Sequence, residues 1–119
     1  MKTTGPTNPQ LKALIIELQR LSRSQKVNLW DRIAKDLGKP TRKRREADLN
    51  KINKYTRDTE IAIVPGKVLS TGELNKKIKV AAFKFSEKAI EKINKIGKAL
   101  TIEQLMKENP KGKNVRIIG

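Results

Sequence analysis

The sequence predicts an α+β fold: helices and a basic extended segment come first, and a small mixed unit of strands and helices follows. Three observations carry this. Apolar residues recur at the helical period up to about residue 55, short β-type runs begin at residue 61, and turn residues punctuate the change. At 119 residues the chain suits a single structural unit, with residues 1–59 as its helical, basic portion and 60–119 as a compact α/β portion. Leu, Ile, Val and Phe make up 31 residues, enough for a modest core.

Taken in order, Thr4 to Pro9 is a turn-rich lead-in, with Thr7 or Asn8 able to cap a helix that has Pro9 at its first position. Leu11, Leu14, Ile15, Leu18 and Leu21 then define a helix over about residues 9–23. Asn28, with Asp31 three residues on, reads as a capping-box-like start. Trp30, Ile33, Ala34 and Leu37 form that second helix's stripe, and Gly38 with Pro40 stops it. Residues 39–45 hold five bases in seven positions and no apolar side chain. A weaker helix is expected from Glu46 to Tyr55, with Leu49 and Ile52 turned inward.

Ile61 to Val64 is a short β run, and Pro65-Gly66 has the residue types of a type II turn. Lys67 to Leu69 continues as extended chain, and Ile78 to Phe85 is the best long strand. Ser86 caps a helix whose Ala89, Ile90, Ile93 and Ile96 share a face and which Gly97 ends. A brief extended piece at residues 98–100 leads to Thr101 and Gln104, a capping box for a last helix holding Leu105 and Met106. Asn109-Pro110 breaks that helix, and Val115 to Ile118 forms a final strand.

Charge dominates the chemistry. Lys and Arg number 28 against 12 acids, giving +16 at neutral pH. Unpaired positive charge on that scale opposes compaction unless an anionic partner neutralises it, and nucleic acid is the commonest such partner. Each half carries about the same net charge, yet seven of the eight arginines precede residue 60. Arginine grips phosphate through a rigid fork, whereas lysine acts as a hydrated point charge. Ordered RNA contacts are therefore expected on the first half. Between Arg32 and Arg57 lie ten bases and three acids; Lys51, Lys54 and Arg57 recur at spacings of three and extend one basic edge. A second cluster runs from Lys76 to Lys98, where a solvent face and an RNA face are equally good readings.

Catalysis is not expected. The chain has no His and no Cys, which removes the usual general base, thiolate nucleophile and metal ligands. Glu46 with Asp48, and Asp58 with Glu60, sit among bases and read as local charge balance. No cofactor or metal is called for, and no small-molecule substrate. Gly66 to Gly72 lacks the order of a phosphate-binding loop, leaving Lys67 free to touch a phosphate. Phe83-Lys84-Phe85 resembles the paired rings of RNA-recognition domains but lacks their glycine, so core packing is the better reading. Trp30 likewise reads as core. The longest apolar run is four residues and the N-terminus has no hydrophobic leader, so neither a membrane span nor secretion is expected. The rival reading is a helix-turn-helix DNA-binding protein; six residues from Ser22 to Val27 make a longer link than that motif uses.

Five stretches carry a resemblance: Thr4 to Pro9, Leu49-Asn-Lys-Ile-Asn-Lys-Tyr55, Ile63-Val-Pro-Gly-Lys-Val-Leu69, Val80-Ala-Ala-Phe-Lys-Phe-Ser86, and Asn109 to Gly119. In order and over the whole length, they look like the L-eighteen-e family of archaeal and eukaryotic large-subunit ribosomal proteins, related to bacterial large-subunit protein fifteen. The resemblance implies a cytoplasmic, structural constituent of the large subunit, bound to large-subunit rRNA and touching neighbouring ribosomal proteins. It also implies a compact second portion of irregular β-β-α type. Carried over by position, the RNA-binding residues are Lys2 in the lead-in, Lys39, Arg42, Lys43, Arg44 and Arg45 in the basic run, and Lys51, Asn53, Lys54 and Arg57 after it. Residues 39–46 depart from the family's pattern, so individual phosphates are not assigned to the bases there.

Overall fold

The computed structural model describes residues 9–39 and 45–119; the expected lead-in and most of the basic run, including Lys2, Arg42, Lys43 and Arg44, lie outside the described residues. The fold is α+β, with N-terminal helices followed by a parallel sheet. Helices α1 (Pro9–Gln25) and α2 (Asn28–Leu37) precede strand β1 (Arg45–Asp48), helix α3 (Leu49–Tyr55) and strand β2 (Ile61–Leu69). Strand β3 (Lys79–Phe85), helix α4 (Glu87–Ile96), strand β4 (Lys98–Thr101), helix α5 (Ile102–Glu108) and strand β5 (Val115–Ile117) complete it.

Every strand pairing is parallel, in the order β1-β2-β3-β4, with β5 also on β2. β2 pairs with β5 through Ile61 to Ile63 and with β1 through Gly66 to Leu69, so β1 and β5 share the edge of β2 opposite β3. A parallel sheet must be covered on both faces, and alternation along β2 supplies both. Ile63, Ala81 and Leu100 meet Leu11, Leu14, Leu18, Trp30, Ile33, Leu37 and Leu105 from α1, α2 and α5. Ala62, Val64, Val68, Val80 and Ala82 meet Leu49, Ile52, Ala89 and Ile93 from α3 and α4. The result is three layers with a core on each side of the sheet, and each core draws residues from both sides of residue 60.

The caps on Ser86 and Thr101 form as expected: Ser86 Oγ accepts from the Ala89 N–H, and Thr101 with Gln104 makes a complete capping box. Trp30 is fully buried, its Nε1 donating to the Pro110 carbonyl at 2.7 Å, and Phe83 and Phe85 pack against the two cores.

Four local expectations are corrected. The third helix does not begin at Glu46, because Asp48 caps it and Ala47 pairs with Val68; residues 45–48 are a strand instead. Pro65-Gly66 is no turn but the interior of β2, at a register shift between Val64 and Lys67 where a proline lacking its N–H is tolerated. A side chain at Gly66 would collide with the Arg45 backbone, so glycine there answers to the approach of β1. Asn28 is the first helical residue rather than the cap: Val27 occupies the cap position without a side-chain bond. Finally, α1 runs to Gln25, leaving Lys26 and Val27 as a two-residue link, so link length gives no argument against a helix-turn-helix. Ser22 closes this link, its Oγ donating to the Val27 carbonyl at 2.7 Å and its own carbonyl accepting from the Val27 N–H. Lys26 takes the left-handed conformation there.

Candidate nucleic-acid interface

Of the basic edge predicted at Lys51, Lys54 and Arg57, the two lysines lie on α3 and Arg57 just past its C-cap; the inner face of α3 is fixed by Leu49 and Ile52, both fully buried. Asp48 Oδ1 accepts from the Lys51 N–H at 2.8 Å, and the Thr56 N–H closes the last turn on the Ile52 carbonyl. The connection between β2 and β3 braces the helix from outside. The Thr71 carbonyl accepts from the N–H groups of Leu49 and Asn50, Asn53 Oδ1 accepts from the Asn75 N–H at 2.8 Å, and Lys76 Nζ donates to the Thr56 carbonyl at 2.6 Å. Leu74 anchors the same connection in the second core.

Lys51, Lys54 and Arg57 are exposed on this frame. None forms an ion pair with another described residue. Lys54 Nζ lies 5.3 Å from the centroid of the Tyr55 ring. Arg57 is held through its backbone: its N–H donates to Glu60 Oε1 at 2.8 Å, and its carbonyl accepts from the Glu60 N–H. The Arg57 guanidinium makes no ion pair with a described carboxylate, although its charge adds to the pull on Glu60.

The other predicted residues divide. Lys67 is exposed on β2, in register with Glu46 on one side and Lys84 on the other. Asn53 has its carbonyl oxygen committed to Asn75, leaving its amide N–H groups for a ligand. Lys39 and Arg45 converge on Asp36, which is buried at the end of α2. Arg45 Nε donates to Asp36 Oδ2 at 2.8 Å and a terminal nitrogen to the Gly119 carbonyl at 3.2 Å, with only 25% of the side chain exposed. Arg45 therefore ties α2, β1 and the last residue together. Lys39, 3.1 Å from Asp36, stays half exposed. Burial works against the charge on Asp36, but the hydrogen bonds and charges of Arg45 and Lys39 outweigh it and hold the carboxyl below its ordinary pKa.

Three further bases are structural. Lys92 donates to the carbonyls of Ser70 and Gly72 and lies 3.5 Å from Glu73; Lys79 pairs with Glu108; Arg116 pairs with Glu60. The lysines of the Lys76 to Lys98 cluster thus divide on α4, with Lys88 and Lys95 exposed and Lys92 turned to the loop. Sequence spacing missed Lys76 as a neighbour of α3, since the two meet only through the β2–β3 connection. Among the described residues no group of three or more acidic side chains could hold a metal ion, and no helix is long and apolar enough to cross a membrane.

Glu60 gives a pH-dependent brace behind this edge. The Arg116 hydrogen bond, followed by the Arg57 N–H, pulls its pKa from an ordinary 4.5 down to about 2. The native carboxyl is thus the stronger acid, so its contribution is complete above about pH 4.5 and disappears as pH falls towards about 2. Urea midpoints of the wild type and Glu60→Gln should differ near neutrality and converge through that window. A gap independent of pH would refute the assignment.

Fold and surface define a class: a small cationic α/β protein whose unneutralised bases stand on braced secondary structure. The sequence comparisons place it more narrowly. The profile for "Ribosomal protein 60S L18 and 50S L18e" matches residues 1–119, and the chain belongs to that family. It is 46% identical over 118 residues to the large ribosomal subunit protein eL18 of Methanoregula boonei, covering 98% of each chain. It is 43% identical to the protein of that name from Methanococcus maripaludis, covering 99% of each. For the Haloarcula marismortui protein the identity is 42%, over 94% of this chain and 97% of the relative.

Proposed function

We propose that this chain is a structural constituent of the large ribosomal subunit which binds and stabilises folded large-subunit rRNA through phosphate contacts. Its partners are large-subunit rRNA and neighbouring ribosomal proteins, its place is the cytoplasmic ribosome, and its role is architectural rather than catalytic. The observation that carries the reading is the α3 edge: Lys51 and Lys54 on the braced helix, and Arg57 just past its end, stand exposed with no ion pair to a described carboxylate, in a chain of net charge +16. Side chains arranged in this way neutralise closely spaced phosphates with little loss of backbone freedom on binding. Residues 1–59 form the rRNA-binding portion, with Lys2, Lys39, Arg42, Lys43, Arg44 and Asn53 as further contacts, while Arg45, engaged by Asp36 and Gly119, braces that portion. Residues 60–119, with Lys67 at their edge, form the compact α/β portion.

Salt dependence tests the mechanism. With about six phosphates contacted, log affinity for deproteinised large-subunit rRNA should fall against log salt with a slope of about −4 to −5. A slope near zero would overturn it. Competition by duplex DNA at fixed salt tests the helix-turn-helix alternative, and rRNA should win.

A further inference from the structure

The chain has four aromatic residues, and only one stands well out in solvent. Trp30 is buried, Phe83 and Phe85 pack against the cores, and Tyr55 is 52% exposed. Core packing does not account for that ring, because Leu49 and Ile52 already supply the buried face of α3. Among the described residues, Ile16 and Ile90 are the other large apolar side chains left in solvent, and neither has a π face.

The surroundings of Tyr55 match its exposure. Lys54 Nζ stands over the ring, Lys51 precedes it by one helical turn, and Arg57 follows two residues later. The next residue, Thr56, receives Lys76 on its carbonyl, so a cation from a separate segment joins the cluster. The backbone beneath the ring is held at the Thr56 cap and at the bond from Asn75 to Asn53. A flat, exposed π surface on a fixed backbone, with Lys54 over it and Lys51 and Arg57 near it in sequence, is suited to a nucleobase carried between phosphates.

We propose that Tyr55 is a stacking seat for one unpaired base of the bound RNA, with Lys51, Lys54 and Arg57 taking the phosphates beside it. The seat rests on the rRNA-binding reading above and adds to it a contact with a base. It also adds a preference for a bulged or single-stranded nucleotide over continuous duplex, where every base is stacked already.

The test uses the full chain with Tyr55→Ala, Tyr55→Leu and Tyr55→Phe. Three probes are used: deproteinised large-subunit rRNA, single-stranded polyadenylate and inorganic polyphosphate. Tyr55→Ala and Tyr55→Leu should each lose about tenfold in affinity for the two RNAs, while Tyr55→Phe stays within about twofold. Affinity for polyphosphate, which has charge but no base, should be unchanged in all three. The salt slope should also hold, because no cation is removed. Full RNA affinity in Tyr55→Ala, or an equal loss on polyphosphate, would overturn the seat. Full RNA affinity with failed incorporation into large subunits would overturn it too, and would assign the ring to a protein neighbour. If the wild type binds rRNA with a steep slope and the variants do the same, the seat alone fails. If the wild type is indifferent to rRNA, the functional reading fails with it.

Discussion

Replacing Trp30 by alanine should destabilise the fold by about 3–5 kcal/mol, a large share of the roughly 5–15 kcal/mol available to a domain of this kind. Two effects combine. The side chain is fully buried among α1, α2 and the sheet, in a core too small for its neighbours to close over the space. Its Nε1 also satisfies the Pro110 carbonyl, which joins α2 to the turn before β5, a contact spanning eighty residues of sequence. Trp30→Phe separates the two, since it keeps most of the apolar volume and removes the donor. It should cost about 1–3 kcal/mol, the range for leaving one polar group without its partner. Urea denaturation gives both numbers. A Trp30→Ala midpoint equal to that of the wild type would show that this core does not hold the helices to the sheet. Because α3 packs on the opposite sheet face, rRNA affinity should survive in the folded fraction of either variant.

The same division between local and long-range contacts explains what could be read from the sequence. Helix α1 was legible from its apolar spacing, and α4 and α5 from spacing and caps written within a dozen residues: Ser86 with Ala89, and Thr101 with Gln104. β2 was legible at its two ends, Ile61 to Val64 as a run buried on both faces and Lys67 to Leu69 as extended chain. Between them lie Pro65 and Gly66, which locally favour a turn. What keeps them extended is β1, whose backbone comes close enough to require glycine. β1 was itself invisible, since Arg45-Glu-Ala-Asp48 has one apolar residue and owes its conformation to a partner twenty-one residues away. The candidate interface divides in the same way. Lys51, Lys54 and Arg57 are exposed, the first two on α3 and the third past its end, whereas the engagement of Arg45 by Asp36 and Gly119 depends on two other parts of the chain. Charge counts identify a cation; only its neighbours show whether it is already occupied.

That distinction sets the largest expected effect on binding. Replacing Lys51, Lys54 and Arg57 together by alanine should flatten the salt slope by nearly three units, at about 0.9 for each phosphate left unneutralised. Near 0.1 M salt the affinity for rRNA should fall by roughly two to three orders of magnitude, if each cation acts through counterion release. Folding should be little affected. Alanine favours the helix at positions 51 and 54, the Asp48 cap uses only the backbone of Lys51, and the hydrogen bond to Glu60 uses only the backbone of Arg57. A charge-matched triple, Lys88, Lys95 and Lys107 to alanine, removes the same net charge from exposed positions on α4 and α5. If the α3 edge carries the binding, this second variant should keep most of its affinity and its slope. If the two triples weaken binding equally, a diffuse positive field is responsible and the α3 edge is no site. Arg45→Ala gives the complementary result: it removes one cation, but it also leaves the buried Asp36 carboxylate with only Lys39 beside it. Its main effect should therefore be on the urea midpoint rather than on the salt slope, the reverse of the α3 triple.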